Sequence, residues 1–240
     1  MISVGAELAA VLWDMDGTLV DTEGLWSVTI GELAERLGGE LSAATREDLT
    51  GSSLDRTVRA VRAEVGLDPD DPDGVTADGR WLIDRTAEVF GHGVPWRPGA
   101  REALAAVRAA GVPTALVTST YRELTDVALD TIGRGFFDVT VCGDEVAATK
   151  PDPAPYRLAA ELLGVDPHAC VAVEDSPTGT RSAVAAGATV LVVPAEVAVE
   201  GGEHRVWRES LVGLTVADLR AALAGETLDG GDHRTRAAAH

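Results

Sequence analysis

The chain has 240 residues, of which 45% are hydrophobic and 25% charged, a composition typical of a globular protein that is neither disordered nor embedded in a membrane. Its 39 acidic and 20 basic residues give a net charge of -19, which argues against nucleic acid or an anionic membrane as a partner. No N-terminal signal segment or bilayer-spanning run is evident, so we expect a cytoplasmic protein, and a monomer is favoured.

Apolar runs of strand length alternate with segments of helical period along most of the chain. The predicted strands are Leu8–Trp13, Thr114–Thr118, Val139–Cys142, Cys170–Val173 and Thr189–Val193. The helices predicted between them, each followed by a glycine, are Glu102–Ala110, Arg122–Ile132, Tyr156–Leu163 and Gly179–Ala186. This alternation predicts an α/β fold, a doubly wound parallel sheet covered on both faces.

From about Leu19 to Trp96 the alternation stops and only helical signals occur. A stripe of apolar residues at helical spacing, introduced by the capping-box pattern Ser52-x-x-Asp55, predicts a helix from Leu54 to Val65. The segment Asp68–Gly79 is rich in Asp, Pro and Gly and is predicted to be a loop. We therefore expect a helical insert of roughly eighty residues after the first strand.

The pattern of residues near the end of the sequence predicts one short helix followed by a tail. The helix is introduced by Thr215-x-x-Asp218 and stops at Gly225, and residues 226–240 have little apolar surface to bury, so a mobile tail is expected there. Cys142 and Cys170 lie inside predicted strands without a metal-ligand pattern, which favours buried free thiols.

Polar residues follow the predicted strands at the edge where ligands bind to an open parallel sheet. They are Asp14 and Asp16 after the first strand, Thr118 and Ser119 after the second, Lys150 after the third, and Glu174 and Asp175 after the fourth. Lys150 is the only lysine in the chain.

Carboxylates crowded at one edge repel each other by about 4 kcal/mol per pair at about 4 Å and an effective dielectric near 20. A hard divalent cation relieves this repulsion, and Mg²⁺ combines a few carboxylates with waters and a substrate phosphate. Asp14 and Asp16, two residues apart, can address one substrate. One carboxylate can attack phosphorus while the other transfers protons, and the hydroxyl of Thr118 can bind phosphate oxygens.

Four motifs together resemble those of the haloacid dehalogenase superfamily of phosphohydrolases. In chain order they are Asp14-Met15-Asp16-Gly17-Thr18-Leu19, Thr118 after a strand, Lys150-Pro151-x-Pro153 and Glu174-Asp175-Ser176. The resemblance implies a Rossmann-like catalytic core, here residues 1–18 and 98–225, with an all-helical cap domain inserted at residues 19–97.

The resemblance also implies roles for the individual residues. Asp14 is the expected nucleophile and Asp16 the general acid and base. Mg²⁺ is expected on the Asp14 carboxylate, the Asp16 backbone carbonyl and the Asp175 carboxylate, with Glu174 as a further ligand or a neighbour of the ligands. Thr118 and Ser119 are expected to bind phosphate, and Lys150 is expected to bridge the phosphoryl group to Asp14.

At several positions this sequence differs from particular branches of the superfamily, and these differences exclude some of the possible activities. Dehalogenases lack an acid at the position of Asp16, and phosphonatases need a cap lysine that this chain does not have. The β-phosphoglucomutase branch has a histidine where this chain has Trp26, and Lys-Gly-x-x-Arg where it reads Thr-Gly-Ser-Ser-Leu at residues 50–54. A Mg²⁺-dependent phosphatase acting on a small phosphorylated metabolite is therefore expected.

A sugar phosphate is the favoured substrate, because Asp21–Trp26 is similar to a stretch found in sugar-phosphate phosphatases of this group. The candidate specificity residues are Glu23, Trp26, Ser52 and Arg56. Two alternatives stay open at this point, a β-phosphoglucomutase-like phosphomutase and a non-catalytic phosphosugar sensor.

Overall fold

The computed structural model describes residues 7–49, 52–194 and 197–228. Most of the tail expected at residues 226–240 lies outside the described residues, as do residues 50 and 51. Cys142 and Cys170 are buried free thiols, as predicted. Among the helices of the described segments, none combines the length and the apolar character needed to cross a membrane.

One parallel sheet of six strands forms the centre of the described fold. The strands are β1 (Ala10–Trp13), β2 (Thr114–Val117), β3 (Val139–Val141), β4 (Cys170–Glu174), β5 (Thr189–Val192) and β6 (Arg205–Trp207). Their order is β3-β2-β1-β4-β5-β6, so the chain runs outward from β1 on one side and then outward on the other. This order confirms the predicted doubly wound α/β fold.

Five of the six strands were predicted from apolar runs, and β6 was not. It has only three residues, begins with Arg205 and lies at the edge of the sheet beside β5. A strand this short has too few apolar residues to stand out from a loop in the sequence.

Nine α-helices occur in the described residues. They are α1 (Glu23–Arg36), α2 (Ala43–Asp48), α3 (Leu54–Glu64), α4 (Pro72–Gly91), α5 (Ala100–Ala109), α6 (Arg122–Ile132), α7 (Ala154–Leu163), α8 (Pro177–Ala186) and α9 (Val216–Leu223). The predicted Thr215–Asp218 capping box precedes α9, where the Asp218 amide donates to Thr215 Oγ1 and the Thr215 amide donates to Asp218 Oδ2.

The chain divides into two compact units. The core unit contains the sheet, and the helical unit consists of Thr22–Val94 together with Asp126–Thr131. In the core unit, apolar residues of β1, β2, β4 and β5 pack with α7 and α8. The helical unit has an apolar core of its own, to which α1, α3 and α4 contribute Leu33, Val61 and Leu82.

Two local predictions in the helical unit were wrong. The expected loop Asp68–Gly79 is helical from Pro72 onward, because Asp71 caps α4 by accepting from the Asp73 amide and proline fits the first turn of a helix. The cap of α3 is Ser53, not Ser52: Ser53 Oγ accepts from the Arg56 amide. Both errors concern where a helix begins, which adjacent capping residues leave ambiguous.

Candidate active site

Asp14 is the first residue after β1, the strand that lies between β2 and β4. Its amide donates to the Val173 carbonyl of β4, and the residue is buried. The following loop is closed by backbone hydrogen bonds from Gly17 to Val20 and from Leu19 to Met15. The strand end and this loop together fix the Asp14 carboxylate at the carboxyl edge of the sheet.

Gly17 allows a second carboxylate to come close to this loop. Its φ is +78°, and a Cβ built there would lie 2.2 Å from Asp175 Oδ2. Only glycine combines that backbone conformation with room for Asp175. The glycine of the first motif therefore brings the ends of β1 and β4 together.

The ammonium group of Lys150 lies at the centre of the site. Nζ donates to Asp14 Oδ1 at 2.6 Å, to Glu174 Oε1 at 2.7 Å and to the Val117 carbonyl at 2.9 Å. The lysine side chain is only 4% exposed. The structure thus places Lys150 against both acids, as expected from their positions after three different strands.

Glu174 is completely buried and is surrounded by donors. Besides Lys150, the Tyr156 hydroxyl donates to Oε1 at 2.6 Å, and Ser176 Oγ donates to Oε2 at 3.2 Å. A Cβ built at Gly179 would lie about 2 Å from this carboxylate, so α8 also packs tightly against it. Both oxygens of Glu174 are therefore held by the protein.

Asp175 completes a group of three acids. Asp14, Glu174 and Asp175 each offer an oxygen, and these oxygens lie within 4.8 Å of one another. Thr18 Oγ1 lies between two of them, 2.9 Å from Asp14 Oδ2 and 3.2 Å from Asp175 Oδ1. One lysine and three carboxylates leave this buried group with excess negative charge.

Burial and the nearby charges together change the pKa values of the site. Burial, together with the charge of Glu174, raises the pKa of Asp14 to about 7 although Lys150 opposes the change. Burial and the charges of Asp14 and Glu174 raise the pKa of Asp175 to about 9. Burial alone would lower the pKa of Lys150, but the two acids it contacts keep the lysine pKa above its ordinary value. A hard cation with oxygen ligands fits such a site.

Asp16 makes a separate set of contacts. Its Oδ2 accepts from Thr118 Oγ1 at 3.0 Å and from Thr120 Oγ1 at 2.8 Å. Thr118 Oγ1 in turn accepts from the Thr120 amide, while Ser119 between them is exposed. The loop after β2 therefore orients the Asp16 carboxylate.

Three residues of this site had no role assigned from the sequence. The sequence pattern includes Thr18 only as part of the first motif, gives Thr120 no role, and places Tyr156 in a predicted helix. The hydroxyl-rich run at residues 118–120 offered a signal for Thr120. An aromatic residue in an amphipathic helix offers none for Tyr156, because such residues usually pack in the core.

The candidate specificity residues all belong to the helical unit. Glu23 lies in the first turn of α1, and the Trp26 ring meets the Phe90 ring edge-on at 6.2 Å. Ser52 Oγ lies 2.9 Å from Thr57 Oγ1. Arg56 donates to Asp48 Oδ2 at 2.7 Å. These contacts are internal to the unit, and a role in specificity stays a prediction for all four residues.

Comparison with known proteins adds three similarities. The family model for haloacid dehalogenase-like hydrolases matches residues 8–187. A plasmid-encoded phosphoglycolate phosphatase of Cupriavidus necator is 34% identical over 88% of this chain and 92% of that protein. Hexitol phosphatase B of Escherichia coli K12 is 30% identical over 91% of this chain and 99% of that protein.

A solved structure is similar over nearly the same range. A mutant of the protein CbbY from Rhodobacter sphaeroides, crystallised with xylulose-1,5-bisphosphate, is 30% identical with a TM-score of 0.77. The match covers 88% of this chain and 99% of that one.

Proposed function

Because the chain belongs to the haloacid dehalogenase-like hydrolases, we propose that its site transfers phosphate from a small phosphorylated sugar to Asp14 and then to water. The chain is an enzyme that hydrolyses phosphate monoesters, as the two phosphatases similar to it do. The observation that carries the proposal is the placement of Asp14 at the end of β1, with Lys150 on Oδ1 and Thr18 on Oδ2. The phosphatases among the similar proteins favour a phosphatase over the phosphomutase alternative, and the complete set of acids with Lys150 favours an enzyme over the sensor.

In the first step a carboxylate oxygen of Asp14 attacks phosphorus, and the bond from phosphorus to the ester oxygen breaks. Asp16 gives the leaving oxygen a proton. In the second step Asp16 takes a proton from water, the water oxygen attacks phosphorus, and the bond to Asp14 breaks to release inorganic phosphate. Thr118 and Thr120 orient Asp16 for these steps, because both hydroxyls donate to one oxygen of its carboxylate.

The three-carboxylate group fits a divalent cation, which we propose is Mg²⁺. Its ligands would be the carboxylates of Asp14 and Asp175 and the backbone carbonyl of Asp16. Both oxygens of Glu174 are already held by donors, so we place Glu174 beside the ligands as the partner of Lys150. When bound, the cation offsets the charge of phosphate oxygens near an anionic nucleophile.

Phosphate binding is assigned to Thr118, Ser119 and Lys150, which all lie after strands β2 and β3. We also retain residues 19–97 as a cap that selects the substrate, with Glu23, Trp26, Ser52 and Arg56 as its specificity residues. The names of the two relatives specify different substrates, which are phosphoglycolate for one and hexitol phosphates for the other. A sugar phosphate agrees with the second of these and with the bisphosphate bound to CbbY.

Phosphate release from a panel of substrates tests this proposal. The panel contains sugar phosphates, phosphoglycolate, nucleotides and a generic aryl phosphate, each measured with Mg²⁺ and again with excess chelator. We expect release that depends on Mg²⁺ and is fastest with a sugar phosphate. Release that persists in chelator would contradict the metal assignment, and preference for a nucleotide or phosphoglycolate would contradict the substrate class.

A further inference from the structure

Tyr156 is a buried tyrosine whose hydroxyl lies at the centre of the candidate active site. It belongs to α7, and its ring is completely buried. The hydroxyl donates to Glu174 Oε1 at 2.6 Å, the same oxygen that accepts from Lys150. Lys150 Nζ also lies 5.1 Å from the centre of the tyrosine ring. The proposed mechanism gives this hydroxyl no role.

A count of donors on Lys150 shows why the tyrosine matters. An ammonium group has three hydrogens to donate. Lys150 has three acceptors in the protein, Asp14 Oδ1, Glu174 Oε1 and the Val117 carbonyl. The lysine can therefore donate to a phosphoryl oxygen only by releasing one of these three acceptors.

Of the three acceptors, Glu174 is the one for which the loss of the hydrogen bond from Lys150 costs the least free energy. A buried polar group without a partner costs about 1–3 kcal/mol, and a charged group costs more. Release of Glu174 leaves the Tyr156 hydroxyl on Oε1 and the Ser176 hydroxyl on Oε2. Release of Asp14 would keep Thr18 on Oδ2 but leave Oδ1 without a second donor among the described residues. Release of the Val117 carbonyl would break a buried contact for which the described residues offer no hydroxyl donor.

We propose that Tyr156 is a positioning residue, which holds Glu174 in place while Lys150 turns from Glu174 to the transferring phosphoryl group. This inference rests on the proposed function, because it requires a phosphoryl group on the Asp14 side of the lysine. The Tyr156 hydroxyl donates to Glu174 and would act through it rather than on the substrate.

Tyr156→Phe removes the hydroxyl and keeps the ring. Without the second donor, Glu174 retains Lys150 more strongly, and the lysine is less available in the transition state. With Mg²⁺ and p-nitrophenyl phosphate, we expect kcat to fall about tenfold, which corresponds to about 1.4 kcal/mol, while KM changes less than about twofold.

The matched control is Thr114→Val, which also removes one buried hydroxyl from the core unit. Thr114 lies at the opposite end of β2 from Thr118, and its hydroxyl donates to the Phe136 carbonyl. We expect Thr114→Val to lower the melting temperature but to leave kcat unchanged. An equal loss of kcat in both variants would show that Tyr156 acts only through stability.

A double-mutant cycle with Glu174→Gln tests whether Tyr156 acts through Glu174. A neutral amide holds Lys150 weakly, so Tyr156→Phe should change kcat by less than about twofold when residue 174 is glutamine. The same tenfold loss in both backgrounds, or no loss with glutamate present, would overturn the proposal.

If a variant fails to fold or is too slow to assay, a crystal structure of the wild-type protein tests the proposal. The crystals would contain Mg²⁺ and beryllium fluoride, which mimics the phosphoryl group. We expect Lys150 Nζ to contact fluoride and to leave Glu174, with Tyr156 still bonded to Oε1. A lysine that keeps Glu174, or a tyrosine that leaves it, overturns the proposal. Failure of the wild type to hydrolyse any phosphate ester would instead contradict the proposed function.

Discussion

Asp14 and Asp175 share a single hydroxyl group, because Thr18 Oγ1 lies within hydrogen-bond distance of one oxygen of each. A hydroxyl has one proton and donates it to only one of the two carboxylates at a time. Burial, together with the charge of Glu174, raises the pKa of both acids. A cation bound between the two carboxylates would offset the negative charge of both at the same time.

The first prediction concerns the stability of the metal-free protein. The folded protein holds protons on Asp14 and Asp175 up to pKa values of about 7 and 9, whereas the unfolded chain loses them near its ordinary value of 3.8. The folded state therefore binds more protons between these values, and the contribution of both acids to stability falls as pH rises. We expect the melting temperature in chelator to decrease from about pH 5.5 to about pH 8.5.

Added Mg²⁺ should reverse this trend, because a cation binds deprotonated carboxylates. The rise in melting temperature caused by Mg²⁺ should be larger at the higher pH. Asp175→Asn should remove most of that rise, whereas Asp55→Asn, which changes an exposed acid of α3, should keep it. An equal rise at both pH values would argue against Asp14 and Asp175 as ligands.

The second prediction concerns the nucleophile. Asp14→Asn replaces the attacking carboxylate by an amide, which is a poor nucleophile at phosphorus. We expect phosphate release to be abolished and no phosphate to be found on the variant by mass spectrometry after rapid acid quenching. Circular dichroism should show that the variant is folded. Retained turnover would place the nucleophile elsewhere.

The third prediction concerns Thr120, whose hydroxyl donates to the proposed general acid and base Asp16. Thr120→Val removes that donor, and we expect kcat to fall about tenfold because Asp16 is oriented less precisely. Thr120→Ser keeps the hydroxyl and should stay within about twofold of the wild type. A valine variant as fast as the wild type would contradict this role, and a serine variant as slow as the valine variant would show that the hydroxyl alone does not sustain the rate.

The fourth prediction compares two helical glycines. Alanine normally stabilises a helix by about 1 kcal/mol relative to glycine. At Gly24, among the described residues outside its chain neighbours and the backbone of its own helix, no atom lies within 4 Å of a built Cβ, so Gly24→Ala should stabilise the protein. At Gly179 the Cβ would overlap the Glu174 carboxylate, and we expect Gly179→Ala to destabilise the protein by about 1–3 kcal/mol in urea unfolding. Stabilisation at both sites would show that α8 can move away from Glu174.

Much of this site could be predicted from the sequence because the sheet is parallel. Asp14, Lys150 and Asp175 follow different strands, and the carboxyl ends of parallel strands meet at one edge. Their convergence therefore depends on strand order and not on the details of packing. The same reasoning could not identify β6, whose apolar content is too small to form a pattern.

The contacts of Tyr156 and Glu174 were beyond sequence reasoning for a different reason. Whether a buried tyrosine fills space or donates to a carboxylate depends on its side-chain orientation, which hydrophobic periodicity does not specify. Likewise, the motif left Glu174 open as a ligand or a neighbour of ligands. Its assignment as the partner of Lys150 follows only from the three donors that surround it.

The solitary lysine gives this protein a built-in spectroscopic probe. Lys150 is the only lysine among 240 residues, so a lysine-specific ¹⁵N label gives one side-chain resonance, from the middle of the candidate active site. Hydrogen exchange with water is slow for an ammonium group that is buried and fully hydrogen-bonded. Nuclear magnetic resonance can therefore follow this one signal as metal and substrate are added, without any engineered label or background from other lysines.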